Sequence, residues 1–186
     1  MRRAIVAVAL LIPLLPGCGG APGGAASSAP ASSSPVAPGF AVNSPAFADN
    51  TQIPVEYSCE GRNVPPPLRW RNPPAGTASL ALVVDDPDAP AGRYVHWVVT
   101  GIPPSANEIG DGPLPQGARV SLNSGGKAAY FGPCPPAGTG VHHYRFQLSA
   151  LSTPLTLAWS TPAGDATQAI ADVTRAQVGT VGLFGR

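Results

Sequence analysis

Ser79-Leu80-Ala81-Leu82-Val83-Val84-Asp85-Asp86-Pro87-Asp88-Ala89-Pro90 is the stretch on which the fold turns. Leu80, Leu82 and Val84 alternate with Ala81 and Val83, so both faces of an extended segment are apolar. That pattern predicts a strand over 79–85 buried in a sandwich or beneath other elements, with no wet face. The strand then stops abruptly. Pro87 and Pro90 hold the next residues in turn geometry, which fixes the Asp86 and Asp88 carboxylates with little entropy left to lose. Fixed carboxylates either accept hydrogen bonds from a ligand ammonium or an imidazole N–H, or cap loop N–H groups as Asx turns. For Asp88 both uses stay open.

Outward from this stretch, further strands are expected at 53–58, 68–71, 94–101 and 142–151, most of them separated by Pro/Gly turns. In the last of these, His142, Tyr144, Phe146 and Leu148 share one face, while His143, Arg145 and Gln147 take the other. His96 lies on the 94–101 strand, with Trp97 expected on the opposite face. One helix is predicted over 165–176 on the Ala169, Ile170 and Val173 stripe, capped by Thr161 or Asp165. The 178–184 segment reads as a short strand interrupted by Gly179 and Gly182.

A second segment mirrors the Asp-Pro turn: Gly132-Pro133-Cys134-Pro135-Pro136-Ala137-Gly138-Thr139-Gly140-Val141-His142-His143-Tyr144. Here too a Pro/Gly-stiffened loop runs into a strand that carries histidine, which is how a rigid scaffold presents polar groups to a small ligand. His96, His142 and Tyr144 supply two imidazoles and a phenol. These donors suit phosphate oxygens, and a nearby carboxylate favours the charged imidazole. Gly126-Lys127 lacks Walker spacing, and the Asp tract lacks the oxygen ladder of an EF-hand. Zinc held by His96 and His142, or Ser124 activated by histidine, would make an enzyme, but neither has motif support.

Composition sets the frame. The 186 residues fit one domain, and 11% charged and 6% aromatic residues with 22 Gly and 24 Pro favour turn-rich β structure. Arg2 and Arg3 followed by an apolar run over 4–15 read as an export signal, 1–17, too short to span a membrane as a mature helix. Leu15-Pro16-Gly17-Cys18 resembles the lipobox of bacterial lipoproteins, so Cys18 is expected to carry lipid of the palmitate kind. Residues 19–39 are Gly, Ala, Ser and Pro with one Val36, a flexible tether of roughly 25 Å root-mean-square span. The folded domain is therefore expected over 40–186. Removing Arg2 and Arg3 leaves nine basic against ten acidic residues. With Lys127 the only lysine and the arginines scattered, nucleic acid is not an expected partner, and membrane attachment falls to the lipid. With Cys18 acylated, Cys59 and Cys134 form an even pair in an oxidising compartment, either bridged or packed as two reduced thiols.

Asp86-Pro87-Asp88-Ala89-Pro90, His96, and the Pro135-Pro136…Gly138-Thr139-Gly140…His142…Tyr144 pattern together resemble the phosphatidylethanolamine-binding protein family, also called Raf kinase inhibitor proteins, in its bacterial branch. Asn43-Ser44-Pro45-Ala46-Phe47, Tyr57-Ser58-Cys59-Glu60-Gly61, Pro67-Leu68-Arg69-Trp70 and Asn123-Ser124-Gly125-Gly126-Lys127 extend the likeness over nearly all of 40–186. His143 stands where the family pattern has arginine, on the face away from His142. The resemblance implies a mainly β fold, a large antiparallel-rich sheet packed on a smaller sheet with one or two peripheral helices. It also implies a small non-catalytic pocket for phosphate or a phosphorylethanolamine headgroup, lined by Asp86, His96, Pro135, His142 and Tyr144, with no cofactor and no metal. An alternative is an inhibitor or regulator of an exported protease or kinase acting through surface contacts. The expected location is the extracytoplasmic face of a bacterial cell membrane.

Overall fold

The computed structural model describes residues 39–186; the export signal, Cys18 and most of the tether lie outside the described residues. In chain order the elements are β1 (Ala41–Asn43), β2 (Thr51–Gln52), β3 (Leu68–Arg71), β4 (Ser79–Asp86), β5 (Tyr94–Ile102), β6 (Glu108–Ile109), β7 (Arg119–Val120), β8 (Val141–Leu151), α1 (Ala163–Val173) and β9 (Thr174–Gly185). A six-stranded sheet in the order β2-β9-β8-β4-β5-β7 packs on a three-stranded sheet, β1-β3-β6. All pairs are antiparallel except β2 with β9.

Every residue of β4 is buried, as its two apolar faces require. Leu80, Leu82 and Val84 enter the core between the sheets with Trp97, Phe146, Leu148, Leu68 and Trp70. Ala81 and Val83 face the other way, under Ala163, Ala166 and Ile170 of α1. Where β4 ends, Asp85 stands on this outer face with no solvent exposure. Arg145 grips it through Nε and Nη2 at 2.8 and 2.7 Å, and Arg93 closes on the same carboxylate.

Four expectations need correction. The 53–58 segment is not a strand. Pro54 has no N–H to give a ladder, so pairing ends at Gln52 and the chain tightens into a 3-10 turn over Val55–Tyr57. The helix starts and ends earlier than 165–176, with Pro162 at the N-cap and no side-chain cap. The last strand is not interrupted but continuous over twelve residues and sits between β2 and β8. At Gly182 a side chain would collide with Ile53 and lie 3.0 Å from the Phe47 ring, so this glycine admits the neighbours instead of breaking the strand. Finally, Trp97 does not oppose His96. Val84 pairs with Trp97 but Asp85 pairs with Val95, so β5 spends an extra residue on His96. This bulge puts both rings on the Tyr144 side of the sheet.

Candidate functional site

At the end of the large sheet where β4 stops and β8 begins, a cavity of about 340 Å³ is lined by Asp86, Tyr94, His96, Phe131, Cys134, Pro135, His142 and Tyr144, with the 89–92 turn as its rim. All five residues singled out from the sequence, Asp86, His96, Pro135, His142 and Tyr144, therefore meet at one place. Alternation along β4 and β8 explains the meeting. Asp86, His142 and Tyr144 fall on the inner face, one residue out of phase with Asp85, His143 and Arg145.

The bulged His96 ring is caged. It stacks on Phe131 at 5.8 Å, meets Tyr144 edge-on at 5.2 Å and lies 4.8 Å from Tyr94. Its Nδ1 donates to the Phe131 carbonyl at 2.6 Å, and the neighbouring Gly132 backbone also interacts with the ring. Burial pushes this imidazole below its ordinary value despite the carbonyl bond, which works in the opposite direction.

His142 is held from both ends. Nδ1 donates to Asp86 Oδ2 at 2.7 Å, and Nε2 is 2.9 Å from Thr139 Oγ1. Asp86 Oδ1 in turn accepts the Asp88 N–H at 2.8 Å, tying the carboxylate to its own turn. The spacing Thr139, His142, Asp86 is that of a nucleophile, base and orienter. The hydrogen count runs against that use. Thr139 gives its single hydroxyl hydrogen to the Pro136 carbonyl at 2.8 Å, so toward His142 the hydroxyl oxygen can only accept. With that hydrogen on Pro136, Nε2 donates as Nδ1 does, the ring is an imidazolium, and it has no lone pair with which to take a proton from Thr139.

The Tyr144 hydroxyl is fully buried beside the Asp86 carboxylate and the Cys134 backbone, and it makes no hydrogen bond of normal geometry to a described residue. Burial first, and the neighbouring Asp86 charge second, drive its pKa upward, so it stays a donor across the whole biological range. An unpartnered buried donor costs about 1–3 kcal/mol and invites an acceptor from outside.

Around the cavity, Asp88 accepts both the backbone N–H and Nδ1 of His143, at 2.8 and 2.7 Å, on the outer surface. Asp88 thus fastens the turn and takes no place in the cavity wall, and His143 faces away from His142. Ser124 accepts the Val95 N–H at 2.8 Å. Cys59 and Cys134 are joined by a disulfide across 75 residues, which pins the cavity wall to the 3-10 turn. Tyr94, Phe131 and Thr139 were not assigned to the site from the sequence. For Thr139 a signal was present: a hydroxyl three residues before His142, in a turn that Gly138 and Gly140 close at φ 81° and 88°.

A two-sheet β domain with a small, mostly apolar cavity edged by a few convergent polar groups defines a binding protein of the ligand-pocket class. The chain belongs to the phosphatidylethanolamine-binding protein family: the profile of the family described as "Phosphatidylethanolamine-binding protein" matches residues 43–184. Among its relatives, Mycobacterium tuberculosis LppC, named as a candidate lipoprotein, is 48% identical over 184 residues, covering 94% of this chain and 91% of LppC. A UPF0098 protein of Methanothermobacter thermautotrophicus is 40% identical over 146 residues, 76% of this chain and 95% of that protein. The crystal structure of Escherichia coli YbcL, described as a new member of the mammalian PEBP family, superposes with a TM-score of 0.76 at 30% identity, covering 79% of this chain and 98% of YbcL.

Proposed function

We propose that this chain is a lipid-anchored, non-catalytic receptor whose pocket takes a phosphoryl group, either free phosphate or a headgroup of the phosphorylethanolamine type. The observation that carries this is the Tyr144 hydroxyl, buried beside Asp86 and the Cys134 backbone without a well-formed hydrogen bond, against a cavity that His96 and His142 also line. A phosphoryl oxygen would accept from Tyr144, and a second oxygen would accept from His96 Nε2 once the ring takes up a proton with the anion. The Asp86 carboxylate, besides orienting His142, offers negative charge near an ammonium, so both ends of a zwitterion would be answered where an all-basic site would answer one. The mostly apolar walls from Phe131, Pro135, Pro136 and Ala89 exclude water and strengthen each of these bonds.

Anchoring would come from Cys18 after removal of 1–17, with 18–39 as tether and the 40–186 domain held at the extracytoplasmic face. The candidate-lipoprotein name of LppC supports this placement. Intact mass of the membrane-extracted protein should show acyl addition that Cys18→Ala abolishes.

For the pocket, the full chain is titrated with phosphorylethanolamine while the histidine ring resonances are followed. The expected result is saturable shifts of His96 and His142 that Tyr144→Phe weakens about tenfold, the worth of one charge-assisted hydrogen bond. Unchanged spectra at millimolar ligand would remove the headgroup reading. Capture of an exported protease or kinase from a membrane fraction, undiminished by Tyr144→Phe, would favour regulation by surface contact instead.

A further inference from the structure

His142 reaches the cavity with no donor to spare. Nδ1 is committed to the buried Asp86 carboxylate, and Nε2 is covered by the Thr139 hydroxyl oxygen. The two commitments differ in kind. Asp86 and His142 are both almost fully buried, and Asp86 is braced again by the Asp88 N–H. Thr139 is exposed. Its own N–H and its hydroxyl both go to Pro136 O, at 3.2 and 2.8 Å, so it hangs on one three-residue turn flanked by Gly138 and Gly140. Nothing lies within 4 Å of where a side chain would stand at either glycine, and the turn is tied to the end of β9 by the Gly138 N–H on the Arg186 carbonyl at 3.3 Å.

From this juxtaposition we infer that Thr139 is an internal latch on the pocket: its hydroxyl oxygen occupies the His142 Nε2 position that a ligand oxygen takes when it binds, and so sets which ligands the pocket accepts. This presupposes the phosphoryl reading of the pocket given above. The exchange is nearly neutral for a ligand hydroxyl, which only replaces one neutral oxygen by another. For an anionic oxygen it is favourable, because a bond from N–H to a charged acceptor is roughly twice as strong as one to a neutral acceptor. With both ring nitrogens donating, His142 is an imidazolium whose charge the Asp86 carboxylate balances, and the latch filters uncharged ligands by holding a neutral oxygen against the outer N–H. The Asp86–His142 pair stays in place throughout, so only a rotation of the Thr139 side chain separates the closed and open states.

The test uses the full chain and two probes, inorganic phosphate and phosphorylethanolamine, against wild type, Thr139→Ser and Thr139→Ala. Thr139→Ala removes the competing oxygen without adding bulk and is expected to tighten both probes about tenfold, the difference made by one lost competing hydrogen bond. Thr139→Ser keeps the oxygen and is expected to stay within about twofold of wild type. The His142 Nδ1 proton resonance, which reports the bond to Asp86, serves as the control for an intact site and should persist in both variants. Equal or weaker affinity in Thr139→Ala, with wild type binding and the Nδ1 signal retained, overturns the latch and leaves the pocket reading standing. Absence of binding by all three proteins overturns both. Tightening of phosphorylethanolamine alone would identify the headgroup, and equal tightening of both probes the phosphoryl group, as the ligand chemistry on which the latch acts.

Discussion

Asp85 and Asp86 are consecutive, identical and both almost wholly buried, yet they stand on opposite faces of the same sheet and keep opposite company. Asp85 is gripped by two guanidiniums, permanent cations that leave the cavity side untouched. Asp86 is paired with an imidazole, and its other neighbours are a backbone N–H and the Tyr144 hydroxyl, which has no well-formed hydrogen bond. The first arrangement is closed; the second has beside it a donor with no well-formed bond. What separates the two carboxylates here is which side of the pleat each falls on and whether its partners are saturated.

The largest expected effect breaks the closed side. Asp85→Asn leaves two guanidiniums facing a buried neutral group and should cost about 3 kcal/mol of stability, the lower end for a broken buried pair because Arg93 and Arg145 are 42% and 39% exposed. Chemical denaturation measures it, and phosphorylethanolamine affinity of the folded fraction should stay near wild type. Asp86→Asn should show the reverse, a smaller loss of stability with affinity down by tenfold or more. Equal profiles for the two variants would erase the distinction.

A smaller, sharper effect lies in pH. Burial lowers the His96 pKa, so the folded ring stays neutral where a free imidazole takes a proton. Its contribution to stability is therefore full above about pH 6.5 and is lost as the pH falls through that value toward the lower folded one. Binding runs the other way. An anionic ligand favours the charged ring, so phosphorylethanolamine affinity should gain an additional rise from pH 8 to 6 that His96→Gln lacks. Identical slopes in both proteins would show that His96 does not meet the ligand.

The smallest effect belongs to the outer fastening. Asp88 is held below the usual carboxylate range, first by the side-chain and backbone bonds from His143. This contribution is present above about pH 4 and lost as the pH falls through the lower folded value. Both partners are more than a third exposed, so His143→Ala should change stability by less than about 1 kcal/mol and leave the pocket intact.

The sequence makes part of this legible. Strong alternation reads β4 and β8 correctly, and with them the shared face of His142 and Tyr144, because period two is a property of the chain alone; it places β5 but misses the bulge that sets the His96 face. It fails where another segment decides. Gly182 looks like a strand breaker until Ile53 is seen filling its place, and Ile53 in turn looks like a strand residue until Pro54 ends the ladder. Strands of two or three residues, such as β1, β6 and β7, are too short for periodicity to register. Thr139 reads as a loop residue because hydrogen-bond competition is visible only once both partners have coordinates.

His96 enters the pocket through a surplus residue in β5, opposite which β4 has no counterpart. The imidazole is therefore aimed by a count of positions as much as by its own identity. Removing that one residue would restore regular pairing between Val84 and Asp86 and rotate the ring outward while every side chain named in the cavity was still encoded. A gene that kept all five letters of the cavity could in this way lose their convergence through a single missing codon, and a comparison of residue identities alone would not notice.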